Sequence, residues 1–281
     1  MSAVTETAPG KVNLVLRVGE PGADRLHPLC SLFARLDLAD TVTVEPADRD
    51  EVVCPGVDGD NLAGAAVRAL RDAAGPGVVP PLKLTIDKRL PVAAGLAGGS
   101  ADAAAALRAA NALAGAPLDA DALRAVAAGL GSDVPSQVEP ASAVVHGTGE
   151  RVDRVELAPM GLVLLPDPQG LSTAAVYAEL DRLRAVGEAP TPAGLDPGPL
   201  KRLAGAAPAH LATRLENDLQ LAALWLRPEL GARMDALRAA GAHGALVSGS
   251  GPTVFGVFDD RPAAEAAAAG LPGALVAEVT G

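Results

Sequence analysis

The chain has 281 residues, 49% of them hydrophobic and 20% charged, a balance that excludes a disordered protein. A net charge of −11 excludes the basic face that nucleic-acid binding requires, although a nucleotide needs only a few local donors. Its two cysteines, Cys30 and Cys54, have neither a metal-site spacing nor a disulfide framework, and with 2% aromatics the core falls to alanine, leucine and valine.

No apolar run approaches the ~18 residues of a membrane span. The opening "MSAVTETAPG" lacks the charged-then-apolar order of a signal peptide, so a cytoplasmic protein is expected.

In chain order, "KVNLVLRV" (11–18) and "DTVTVEP" (40–46) alternate as strands do, and "PLKLTIDKRLP" (81–91) is a third such run bounded by prolines. An amphipathic helix is predicted over 61–74, capped by Asp60 or Asn61. A second follows the glycine-rich "PVAAGLAGGSAD" (91–102) and closes at Gly115, and a third spans 118–131. "GLVLLPDP" (161–168) predicts a buried strand, then a helix from about Ser172 to Ala185. Proline, glycine and alanine crowd residues 186–209, which suggests a surface excursion or flexible connection. Helical patterns return at 211–240. A glycine-rich turn inside "GALVSGSGPTVFGVFDD" (244–260) then separates two strand-like runs, before a last helix (261–270) and strand (274–279). Without regular βαβ alternation the class is α+β, and a domain boundary is expected near residue 155, giving 1–154 and 155–281.

The glycines before the second helix raise a chemical question. Consecutive backbone N–H groups in such a loop can form an anion-binding hollow, and the helix adds partial positive charge at its N-terminus. A flexible loop with Ser100 or Asp102 as N-cap accounts for the same residues. The segment is no P-loop, since the Gly-Lys-Ser/Thr ending is missing, and its glycine spacing is not a dinucleotide fingerprint. Lys11 and Asn13, at i and i+2 on a strand, share one face. Alone, that lysine reads as a solvated edge residue and the 246–257 turn as an ordinary hairpin.

Taken together, "APGKVNL", "PVAAGLAGGSA" and "SGSGP" resemble, in this order, the three signature stretches of the GHMP kinases, the family of galactokinase, homoserine kinase, mevalonate kinase and phosphomevalonate kinase. "LGSDVPS" (130–136), "HPLCSLFARLDLADTVTVEP", "STAAVYAELDRLRAVG" and "ENDLQ" are similar to stretches of one branch, which phosphorylates a cytidine diphosphate-linked polyol in non-mevalonate isoprenoid synthesis. The resemblance implies a two-domain fold, with an N-terminal domain like ribosomal protein S5 and a C-terminal ferredoxin-like domain. It implies ATP and Mg²⁺, and a small-molecule partner rather than nucleic acid or membrane, in a monomer or homodimer.

The resemblance also assigns roles. Lys11 and Asp133 would be catalytic, Asp133 as the base taking the substrate's hydroxyl proton. Pro91, Val92, Ala93, Ala94, Gly95, Leu96, Ala97, Gly98, Gly99, Ser100 and Ala101 would wrap the ATP phosphates, with Ser100 near Mg²⁺ and Asn61 near the adenine. Asn13, Leu26, His27, Tyr177, Ser250 and Gly251, with Gly249 beside them, would meet the substrate. Without the resemblance Asp133 reads as a turn aspartate between Gly131 and Pro135, and His27 as a turn residue beside Pro28.

Some positions depart from the family. Leu26 stands where a tyrosine usually stacks on the cytosine, Ser136 replaces a phenylalanine, and Ala93, Ala94 and Ala97 replace glycines. Since alanine favours negative φ, these three predict a loop without left-handed turns. Other small-molecule kinases of the family, acting on homoserine, mevalonate or a sugar, remain alternatives, as does a non-catalytic nucleotide-binding member.

Overall fold

The computed structural model describes residues 2–23, 25–57, 59–192 and 194–279. The elements run β1 (Val4–Val18), β2 (Leu29–Pro46), β3 (Glu51–Val53), α1 (Leu62–Ala74), β4 (Leu82–Asp87), α2 (Gly98–Leu113), α3 (Ala120–Ala128) and α4 (Val134–Val138). They continue with β5 (Ala143–Gly147), β6 (Arg151–Arg154), β7 (Met160–Leu165), α5 (Thr173–Ala185), α6 (Gly198–Leu203), α7 (Pro208–Ala212) and β8 (Glu216–Asn217). Last come α8 (Gln220–Leu226), α9 (Glu229–Ala239), β9 (Gly244–Val247), β10 (Val254–Phe258), α10 (Arg261–Ala268) and β11 (Leu275–Val279).

The chain folds as two compact units, and both are discontinuous, unlike the single cut near residue 155 expected from composition. The first holds Met1–Gly10, Leu38–Val92 and Ala97–Pro140; the second holds Lys11–Asp37, Ala93–Leu96 and Ala141–Gly281. Both β1 and β2 contribute residues to each.

In the first unit β4 pairs antiparallel with the end of β2 (Thr41↔Asp87) and parallel with β3 (Val52↔Leu84). Its helices gather on α2, whose alanines at 103–106 are fully buried and let neighbours approach closely. Asn61 caps α1, its side chain accepting from the Ala63 N–H, and the apolar stripe Ala63, Ala66, Val67 and Leu70 faces the core.

The second unit is built around a sheet ordered β11-β7-β10-β9, antiparallel throughout. β7, "MGLVLL", is buried along its whole length, as a strand covered on both faces must be. The start of β2 pairs with β5 (Leu29↔Gly147), and β5 forms a hairpin with β6. β1 pairs parallel with the two-residue β8. Valines and leucines of these strands and of α5, α8 and α9 form one apolar core.

The α+β expectation holds. Residues 186–209 lie largely at the surface, as expected, but they are not all connection: Pro197 and Pro199 start the helix α6, which buries its own Leu200. Among the described residues no helix is long and apolar enough to cross a membrane.

Candidate active site

The second unit brings three distant pieces of sequence together. Lys11 and Asn13 do share a face of β1, and Lys11 Nζ donates to Asn13 Oδ1 at 2.7 Å. The ammonium also sits 4.4 Å over the centre of the Phe33 ring, an apolar cover that limits its movement. The Lys11 backbone N–H donates to the Leu96 carbonyl at 3.1 Å, tying the strand to the glycine-rich loop.

The loop in turn meets the 248–251 turn. Ser248 Oγ donates to the Gly95 carbonyl at 3.0 Å, and the Thr253 N–H donates to the Ala94 carbonyl at 3.3 Å. A Cβ on Gly249 would lie 3.2 Å from Asn13 Oδ1 and 3.9 Å from Lys11 Nζ, so the turn passes directly beside that pair. Asn217 completes the arrangement. Its Nδ2 donates to the carbonyls of Val247 and Gly249, each at 2.8 Å.

Residues 61–147 match the family described as GHMP kinases N terminal domain, and residues 196–277 match GHMP kinases C terminal. The chain belongs to the GHMP kinase family. A curated relative from Nocardia farcinica, named 4-diphosphocytidyl-2-C-methyl-D-erythritol kinase, is 45% identical over 98% of this chain and 92% of its own length. One from Streptomyces coelicolor with the same name is 44% identical, over 94% and 91%. A solved 4-(cytidine 5'-diphospho)-2C-methyl-D-erythritol kinase superposes with a TM-score of 0.80 at 33% identity, covering 99% of this chain and all of the other. Homoserine kinase from Cytophaga hutchinsonii, at 18% identity and a TM-score of 0.65, shares the fold.

In this GHMP kinase the glycine-rich loop is not free of left-handed turns. Ala93 has φ 53° and Ala97 φ 56°, overturning the expectation from their side chains, while Ala94 conforms. Left-handed alanine costs about 1–2 kcal/mol, which the contacts fixing the loop must offset. Ala97 is the N-cap of α2 and makes no side-chain cap. Neither Ser100 nor Asp102 caps that helix. Asp102 instead accepts from Lys88 at 2.8 Å, and Lys88 also donates to Asp40 at 2.5 Å.

That buried group was not foreseen. Asp40 accepts the Arg89 and Leu90 N–H groups as well, which pins the chain just before the loop. Asp102 Oδ1 has no hydrogen-bond partner among the described residues, and burial pushes its carboxyl up to about 6 against the pull of Lys88. Lys88 itself is raised by its bonds to Asp102 and Asp40, which prevail over burial.

Asp133, in the first unit, is half-buried at the residue before α4 and makes no cap with its side chain. Its carbonyl accepts from Ser136 Oγ at 2.8 Å, so the serine found in place of phenylalanine closes the turn. Asn61 spends its Oδ1 on capping α1.

Among the residues expected to meet the substrate, His27 Nε2 lies 2.9 Å from Asp181 Oδ1, and its ring centre is 5.0 Å from that of Tyr177, tilted by 51°. Leu26 is 55% exposed, leaving its apolar side chain open to solvent. Ser250 Oγ lies 2.9 Å from Thr173 Oγ1, linking the turn to the start of α5. The supporting role of Asn217 was missed in the sequence, where "ENDLQ" was the single signal at that place.

Proposed function

We propose that this GHMP kinase transfers the γ-phosphoryl group of ATP to the 2-hydroxyl of 4-diphosphocytidyl-2-C-methyl-D-erythritol. One observation carries the reading: Lys11 and Asn13, residues 94–96 and the 248–251 turn meet within one unit. Relatives at 45% and 44% identity over nearly the whole chain, named for that substrate, support it.

Phosphoryl transfer asks for positioning and charge neutralisation more than for covalent chemistry. The first bond inside α2 runs from the Ala101 N–H to the Ala97 carbonyl, so the amides of Gly98, Gly99 and Ser100 have no acceptor within the helix. With nothing within 4 Å of a Cβ built on Gly99, these donors suit a phosphate group, and the residues fit ATP. Among the described residues no three His, Cys, Asp or Glu side chains form a metal-holding group. Mg²⁺ would be held by the nucleotide's phosphates and the Ser100 hydroxyl, and would neutralise charge on the phosphates. Asp133 takes the proton of the substrate hydroxyl. The Lys11 ammonium stabilises the negative charge that grows on the attacking oxygen, and Asn13 orients the polyol. His27 and Tyr177 receive the cytosine. The work is placed in the cytoplasm, with a small molecule as partner.

Coupled ADP-release assays test this with the cytidyl polyol, homoserine, mevalonate and galactose offered separately. Turnover confined to the first is expected. Turnover on another, with none on the cytidyl compound, would move the protein to a sister branch; ATP binding without any turnover would make it a nucleotide-binding member alone.

A further inference from the structure

Behind Lys11 runs a chain of hydrogen bonds whose direction chemistry fixes. Lys11 Nζ donates to Asn13 Oδ1 at 2.7 Å, Asn13 Nδ2 donates to Ser31 Oγ at 2.9 Å, and Ser31 Oγ donates to the Val15 carbonyl at 2.5 Å. Ser31 is fully buried, and Asn13 and Lys11 are 2% and 5% exposed. An ammonium only donates and a carbonyl only accepts. The hydroxyl between them has one proton, and Val15 takes it, so towards Asn13 the hydroxyl can only accept. The amide must then point its nitrogen at Ser31 and its oxygen at Lys11. Turned over, it would set two N–H groups against the ammonium and its oxygen against a hydroxyl with no proton left.

We propose that Ser31 is a positioning residue of the phosphoryl transfer, holding the Asn13 amide in the one orientation that presents an oxygen to Lys11. The inference rests on the proposed roles of Lys11 and Asn13. Ser31 sits on β2 and the other members on β1, so the hydroxyl fixes a side chain of one strand from the backbone of that same strand and the scaffold of its neighbour. Nothing in the proposed cradle for ATP depends on it. Loss of the hydroxyl should therefore lower turnover and leave nucleotide binding in place.

The test compares Ser31→Thr with Ser31→Val, which have nearly the same shape and differ in the hydroxyl. Ser31→Ala is added in case valine cannot be accommodated, and each variant is checked for folding by its melting curve. With saturating substrates, Ser31→Val and Ser31→Ala should lose about tenfold in kcat, the scale of a lost supporting hydrogen bond, with KM for ATP within about twofold. Ser31→Thr should keep kcat within about twofold of the parent, the hydroxyl being retained. Placed in a Lys11→Met background, Ser31→Val should cause no further loss, because the two act as one unit. Parent-like turnover in Ser31→Ala, or equal losses in Ser31→Thr and Ser31→Val, would overturn the inference. Parent-like turnover in Lys11→Met alone would instead remove the proposed role of Lys11, a failure that can be told apart.

Discussion

A Cβ on Gly95 would lie 2.5 Å from the Ser248 carbonyl oxygen and 2.8 Å from that of Gly251. Both obstacles are backbone, so neither can swing aside, and Gly95 also has φ 74°. Gly95→Ala must therefore part the loop from the turn. A loss of at least about 2 kcal/mol in denaturant unfolding is expected, together with a raised KM for ATP. A variant with unchanged midpoint and unchanged KM would show that this contact does not shape the cradle.

Ala97 gives the opposite sign. Its φ of 56° is a conformation that glycine adopts without steric cost. Most alanine-to-glycine changes in folded chains destabilise, yet Ala97→Gly should stabilise by roughly 0.5–1 kcal/mol, as strain is removed in excess of the added freedom of the unfolded chain. Equilibrium unfolding in urea decides it, and a lower midpoint would contradict the expectation.

Asp102 makes stability depend on pH in a direction unusual for a carboxylate. Burial raises its carboxyl from 3.8 to about 6, so between those values the folded chain keeps a proton that the unfolded chain has released. Stability from this group is present below that window and lost as pH rises through it, at most about 3 kcal/mol. Asp102→Asn cannot titrate and still offers an oxygen to Lys88. Its melting temperature relative to the parent should rise by several degrees from pH 4 to pH 7. A difference that does not change with pH would refute the assignment.

Asp133→Asn removes the proposed base while keeping the shape of the turn before α4. Turnover should fall by roughly 10²–10⁴-fold, with ATP affinity by calorimetry nearly unchanged. Full turnover would remove Asp133 from the reaction.

Leu26→Tyr restores an aromatic face at an exposed position. Stacking on a base contributes about 1–3 kcal/mol, so KM for the cytidyl substrate should drop by about fivefold or more, with KM for ATP unaffected. An unchanged KM would mean that the base does not reach this residue.

Much of this was legible in advance, and the exceptions have physical causes. The long elements announced themselves, because apolar residues alternate along β1 and α2 is dense in the best helix former. Lys11 and Asn13 could be placed on one face from spacing alone. β5 and β6 went unmarked, since five and four residues either side of a tight turn carry little periodicity. The left-handed alanines were hidden because residue type states a preference, and the packing of Gly95 against Ser248 overrides it. Ser31 was invisible for another reason. A serine in an apolar strand looks like an accident until the strand beside it supplies a carbonyl and an amide.

β8 is two residues long, yet it holds β1 through Leu16↔Asn217 and the 248–251 turn through the Asn217 side chain. Asn217 thus ties the strand that carries the ammonium of the first signature to the turn that carries the serines of the third. A change at that one side chain would loosen both, although β2 and the glycine-rich loop also hold them.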